Sequence, residues 1–242
     1  MASNNQSTKR LAGRIALITG ASRGIGAAVA RRFAQEGAEL VLVARTVGGL
    51  EEVDDAVRAA GSKATLVPLD LRDFDAIDRL GASLYERFKR LDVLVGNAAM
   101  LGTLSPVHHL APREWQQTID LNLTANWRLI RSLDPLLRQS PAGRAIFVTA
   151  DVGRLPKPFW GAYAASKAGL ETIVRMYAVE IAPTSALRVN LIDPGRVGTS
   201  LRARAYPGEK RENLPTPDSV TEPFVRLAEA SCEEQGSLVA IE

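Results

Sequence analysis

The chain has one cysteine in 242 residues, Cys232, so no disulfide can close within it and a reducing compartment, the cytoplasm, is the expected location. Its only two histidines are neighbours, His108 and His109. That pair is too few for a zinc site of the usual Cys/His type, so no metal is expected. No apolar run approaches the roughly 18 residues that cross a membrane. The first residues are polar and lack the apolar stretch of a signal peptide, and residues 1–12 are expected to form a disordered tail. A net charge of +3 is too small to argue for nucleic acid or a membrane as partner.

What is present is ordinary for a globular protein, with 46% hydrophobic and 24% charged residues. A chain of this length buries roughly 70–75% of its unfolded surface and needs no staples. Short apolar runs fall at 14–19, 40–43, 64–69, 91–95, 145–149, 187–192 and 238–241. They lack polar alternation, as strands covered on both faces do. Helical patterns lie between them at 24–35, 48–60, 74–89, 112–137, 161–181 and 219–230. The right-handed β-α-β rule makes this one doubly wound parallel α/β sheet, a Rossmann fold, in a single domain over 13–242. The stretch 199–218 is long, charged and proline-bearing, and is expected to be a substrate lid.

The first run opens into Thr19-Gly20-Ala21-Ser22-Arg23-Gly24-Ile25-Gly26 and then a helix. Glycines there permit a tight turn and let backbone approach a pyrophosphate at the helix N-terminus. Gly20 to Gly24 also satisfies G-x-S-x-G, the nucleophile elbow of α/β-hydrolases, with Ser22 as nucleophile. That alternative lacks a histidine after the acid, since His108 and His109 stand mid-chain. The second run ends Val43-Ala44-Arg45-Thr46, without the carboxylate that binds an NAD ribose. Arg45 and Arg23 offer planar forks suited to a 2′-phosphate instead, so NADP(H) is expected ahead of NAD(H).

Tyr163 and Lys167 begin a helical stretch four residues apart, on one face. A free tyrosine has a pKa of about 10, and lowering it by ~3 units needs about 4 kcal/mol of phenolate stabilisation. A neighbouring Lys⁺ and an oxidised nicotinamide can supply that in a dry site.

With these features in order, the sequence resembles the short-chain dehydrogenase/reductase family from about Gly13 to Glu242. The turn Gly20, Ser22, Arg23, Gly24, Ile25 and Gly26 is similar to its cofactor turn. Asp70-Leu71 resembles its adenine contact, and Gly96-Asn97-Ala98-Ala99 its NNAG motif with changes at both ends. Asn122 resembles the asparagine that anchors a proton-relay water. Pro194-Gly195-Arg196-Val197-Gly198-Thr199 resembles the nicotinamide segment. The resemblance implies hydride transfer between NADP(H) and a small carbonyl or alcohol substrate. Tyr163 would move the oxygen-bound proton, and Lys167 would hold the ribose and lower the tyrosine pKa. Backbone near Val197 and the Thr199 hydroxyl would fix the carboxamide.

The family's substrate-binding serine, three residues before Gly153, is Ala150 in Thr149-Ala150-Asp151-Val152-Gly153. Losing one donor to a developing oxyanion costs ~3–4 kcal/mol, or 10²–10³ in rate. Thr149 or Asp151 can replace it, Tyr163 can act alone on an easily reduced substrate, or the protein binds NADP(H) with weak or lost catalysis. The family's Asp-Gly-Gly tail is also absent. A homodimer through the helices near 112–137 and 161–181 is therefore set beside the homotetramer. Phe159 and Trp160 are expected on the substrate side, where their bulk suits an apolar or aromatic carbonyl compound.

Overall fold

A computed structural model of the chain describes residues 9–241. Each apolar run becomes a strand: β1 (Ile15–Thr19), β2 (Glu39–Ala44), β3 (Ala64–Pro68), β4 (Val93–Gly96), β5 (Arg144–Val148), β6 (Arg188–Asp193) and β7 (Leu238–Ala240). They form one sheet in the order β3-β2-β1-β4-β5-β6-β7, every neighbouring pair parallel. The helices α1 (Gly24–Gln35), α2 (Val47–Ala59), α3 (Phe74–Phe88), α4 (Pro112–Ile119), α5 (Ala125–Gln139), α6 (Gly161–Ile181), α7 (Ser200–Ala205) and α8 (Glu222–Ala228) connect them. This is a Rossmann-like α/β fold.

Strand side chains alternate between two cores. Leu17, Val41 and Val43 point to the side of α3, α5 and α6. Ile18, Leu40 and Leu42 point to the side of α1, α2 and α8. Both faces are therefore apolar, which is why the runs show no polar alternation. The chain reverses its direction of winding between β1 and β4, and the crevice above their carboxyl ends is where ligands bind in such sheets.

Three boundaries differ from expectation. Residues 1–8 of the expected tail lie outside the described residues, but Leu11 is packed: it is buried and its amide donates to the Glu36 carbonyl (2.9 Å). Arg10 pairs with Glu222 and Glu229. The single helix expected over 112–137 is interrupted by a wide π-type turn at Asp120–Thr124, a device common at functional sites. The expected lid is largely ordered, with α7 and short turns at Arg211–Asn213 and Pro217–Val220.

Candidate active site

The crevice between β1 and β4 is pinned open by polar groups. The Thr19 hydroxyl accepts from the backbone N–H of Asn97 (3.0 Å) and Ala98 (3.1 Å), and donates to the Val95 carbonyl (3.2 Å). The Asn97 amide donates back to the Thr19 carbonyl (2.9 Å). Gly20 and Gly24 have φ +65 and +59, conformations that side chains rarely adopt. A Cβ on Gly26 would lie 2.4 Å from the Gly20 carbonyl oxygen, so Gly26 seats α1 against the turn and does not line the cleft.

The N-terminus of α1 has no side-chain cap and no acidic residue in its first turn. Its unsatisfied N–H groups open into a cleft of about 470 Å³ lined there by Gly20, Ser22, Arg23, Gly24 and Ile25. An uncapped N-terminus behind a glycine turn fits a pyrophosphate, and nothing acidic opposes it.

At the cleft end beyond β2, the exposed Arg23 and Arg45 both line the wall. Asp70, expected at the adenine, is instead taken up by its neighbour. Its carboxylate accepts from the Arg72 amide (3.0 Å) and guanidinium (3.1 and 2.6 Å), which holds its pKa below the ordinary value. Arg45 approaches the same carboxylate only to 3.9 Å. Leu71 and Arg72 line the cleft at this point and Asp70 does not. Arg72 was missed in the sequence because no motif demands it; its spacing of two from Asp70 was the available signal.

Tyr163 and Lys167 stand together on the buried face of α6. Burial pushes the Tyr163 phenol well above its ordinary pKa, and the Asp193 and Asp151 carboxylates push it further. Burial lowers Lys167 to about 8, opposed by Asp193 and Glu171. The ammonium donates to the Val148 carbonyl (2.7 Å) and lies 5.6 Å from the Tyr163 ring centre. Above Tyr163 sits a small apolar cluster. Trp160 meets Tyr163 edge to face at 5.7 Å and Tyr206 at 5.8 Å, with Leu101 and Val152 beneath. Leu201, Ala205 and Tyr206 bring α7 onto this cluster. Phe159 does not join it: it has φ +75 and is 56% exposed, with its carbonyl accepting from the Ser105 amide (3.0 Å).

The strand end beside Tyr163 offers Ala150, whose methyl has no donor. Thr149 is not a substitute, because its buried hydroxyl donates to the Glu171 carboxylate (2.8 Å). Asp151 lines the cleft with a carboxylate that no described side chain engages. Pro194, Gly195, Val197 and Thr199 line the opposite wall, and the Thr199 hydroxyl caps α7 by accepting from the Arg202 amide (3.2 Å).

The side chain of Asn122, the residue expected to anchor a water, joins the loop after β4 to α6. Its side chain accepts from the Met100 amide (2.9 Å) and donates to the Met100 carbonyl (2.9 Å) and the Ser166 hydroxyl (3.0 Å). It is fully buried outside the cleft lining, so it ties the loop after β4 to α6. His108 and His109 sit on an exposed turn away from the cleft, and Ser22 has no base. The hydrolase alternative therefore fails. Among the described residues no cluster of metal-binding side chains occurs.

Comparison with known proteins agrees with this geometry. The short chain dehydrogenase family model matches residues 14–210, and the chain belongs to that family. The oxidoreductase YciK of Escherichia coli K12 is 36% identical over 210 residues, covering 86% of this chain and 82% of that protein. A short chain dehydrogenase from Shigella flexneri complexed with NADP superposes with TM-score 0.92 at 33% identity, over 96% of this chain and 98% of that one. Carveol dehydrogenase from Mycobacterium avium in complex with NAD gives 0.87 at 26% identity, over 96% and 97%. The chain is thus an oxidoreductase of the short-chain type, acting on a small molecule with a nicotinamide dinucleotide. No helix among the described residues is long and apolar enough to cross a membrane.

Proposed function

We propose that the chain interconverts a carbonyl compound and its alcohol with NADP(H), Tyr163 moving the proton at the substrate oxygen. The observation that carries this reading is the Tyr163–Lys167 pair, buried in a cleft whose far end presents Arg23 and Arg45. Bound NADP(H) supplies or takes the hydride at the substrate carbon, and its oxidised form adds a positive charge that favours the phenolate. Gly20, Ser22, Arg23, Gly24 and Ile25 hold the pyrophosphate, while Leu71, Asn97 and Ala98 wall the adenosine half. Arg45 and Arg23 take the 2′-phosphate, with NAD(H) the weaker ligand. Pro194, Gly195, Val197 and Thr199 fix the nicotinamide face.

On reduction the Tyr163 hydroxyl gives its proton to the carbonyl oxygen; on oxidation the phenolate takes it back. Lys167 has three donors, so it can keep Val148 and still bind a ribose. Its charge favours the phenolate that burial alone opposes. Asn122 acts by positioning, through Met100 and Ser166. Leu201, Ala205 and Tyr206 give the 199–218 segment its role as a lid over Trp160 and Tyr163.

We also read the chain as a cytoplasmic homo-oligomer. A dimer across α5 and α6 is supported by exposed apolar residues there, Trp127, Met176 and Val179.

Assays of NADPH oxidation against a panel of ketones and aldehydes test the activity. Tyr163→Phe should lower kcat at least about 10²-fold without weakening NADPH binding. Tight NADPH binding with no turnover of any carbonyl would leave a binding protein in place of an enzyme. Arg45→Asp should weaken NADPH binding about 10–10²-fold by equilibrium titration and shift preference toward NADH; unaltered NADPH affinity would remove the 2′-phosphate assignment. Ala150→Ser should raise kcat, by up to about 10²-fold, by returning a donor to the oxyanion; an unchanged kcat would mean that the site needs none. Val179→Asp should convert the oligomer to a smaller species in sedimentation velocity, and an unchanged mass would place the interface elsewhere.

A further inference from the structure

Arg154 follows the short turn Asp151–Gly153 and belongs to none of the motifs. Its guanidinium nevertheless bridges three parts of the site. One nitrogen donates to Glu171 on α6 and another to Asp193 at the end of β6. Both carboxylates are buried, with side chains 8% and 7% exposed, while the Arg154 side chain is 31% exposed. Glu171 has further partners, Thr149 at 2.8 Å and Arg175 at 3.8 Å. Among the described residues the Asp193 carboxylate has the Gly195 amide (3.1 Å) as its one other partner besides Arg154. The β5 exit is held to β6 by the Thr149 amide on the Ile192 carbonyl (2.8 Å). Gly153 lies against α6 so closely that a Cβ would meet the Ala168 nitrogen at 3.0 Å and the Lys167 Cβ at 3.2 Å.

We propose that Arg154 is a positioning residue, locking the β5 exit, the helix of Tyr163 and Lys167, and the Asp193–Gly195 turn together while neutralising the Asp193 carboxylate in the cleft. The proposal rests on the oxidoreductase reading for its effect on turnover. The physical consequence is electrostatic. Asp193 acts on both Tyr163 and Lys167, so a bare carboxylate there opposes the phenolate. The other charged groups on the elements around the phenol are Lys167 and Glu171 on α6, Asp151 after β5, which no described side chain engages, and Arg202 on α7, which is bound to Glu209. Lys157, from the loop before α6, is held by Tyr206. None of these contacts Asp193; among the described residues Arg154 is the one charged side chain that does.

The sign follows from the direction of catalysis. In alcohol oxidation the phenolate is the base, so kcat/KM rises with pH to a plateau. Losing Arg154 raises the phenol pKa and moves that limb to higher pH. Arg154→Ala should shift it upward by about one unit. In an Asp193→Asn background the same substitution should move it far less, because the carboxylate is gone. Asp193→Asn alone should shift it downward. Equal upward shifts in both backgrounds, or a loss of kcat with the limb unmoved, would overturn the proposal. Arg154→Gln carries the same test if the alanine variant does not fold. Ultraviolet titration of the phenol in the NADP⁺ complex, with Tyr163→Phe as blank, reads the same shifts without turnover. An inactive protein would therefore sink the oxidoreductase reading while the titration still decides the role of Arg154.

Discussion

The hydrogen bonds that join the tops of β1 and β4 are the constraint on which the site depends. Strands on either side of this point carry their connections away from each other, which leaves a gap that backbone alone cannot bridge. Thr19 and Asn97 bridge it with four hydrogen bonds between the two strand ends. Because Asn97 reaches over Gly20, a Cβ on Gly20 would sit 2.9 Å from its amide nitrogen. The glycine turn is therefore required by the protein's own packing as well as by a ligand. The same contacts aim the uncapped end of α1 into the cleft.

At the other end the problem is charge. Tyr163 and Lys167 are both buried, and burial makes each resist its charged form, the phenol by rising and the ammonium by falling to about 8. A neutral phenol can give a proton but cannot take one from an alcohol, and a neutral amine holds a ribose less well than an ammonium. Two carboxylates, Asp193 and Glu171, keep the lysine cationic, yet Asp193 also works against the phenolate. An arginine shared between the two carboxylates reconciles these demands, since it tempers their field without removing it. The same planar fork, giving one nitrogen to each carboxylate, fixes geometry that a point charge would not.

The sheet was legible because its strands are buried on both faces and read as unbroken apolar runs. The glycine turn and the Tyr163–Lys167 pair were legible because backbone approach and helical spacing leave a local pattern. Contacts made between distant segments leave none. Asn122 was recognisable by its resemblance to the family's asparagine, but its partner Met100 lies 22 residues away and could not be read. Arg154 meets Asp193 across 39 residues, so it reads in the sequence as one more surface arginine. Asp70 differs in the opposite way: its partner Arg72 is only two residues on, and of the two only Arg72 lines the cleft. Phe159 looked like a lining residue by proximity to Trp160. A single left-handed residue sends the two side chains to different environments, one exposed and one buried.

Ala150 then bears on substrate choice. Thr149 cannot move into the serine's place without stripping Glu171 of a buried donor, which would cost about 1–3 kcal/mol. No described side chain engages Asp151, but a carboxylate, when ionised, only accepts hydrogen bonds and cannot stabilise an oxyanion. Beside a carbonyl that gains negative charge it acts in the wrong direction. Beside an alcohol, or a hydroxyl or ammonium next to the reacting carbon, it acts in the right one. On the proposed reading, substrates that bring their own donor would suit Asp151, and stabilisation of the reacting oxygen would rest on Tyr163. That division would follow from one missing hydroxyl and, on the next residue, one carboxylate that no described side chain engages.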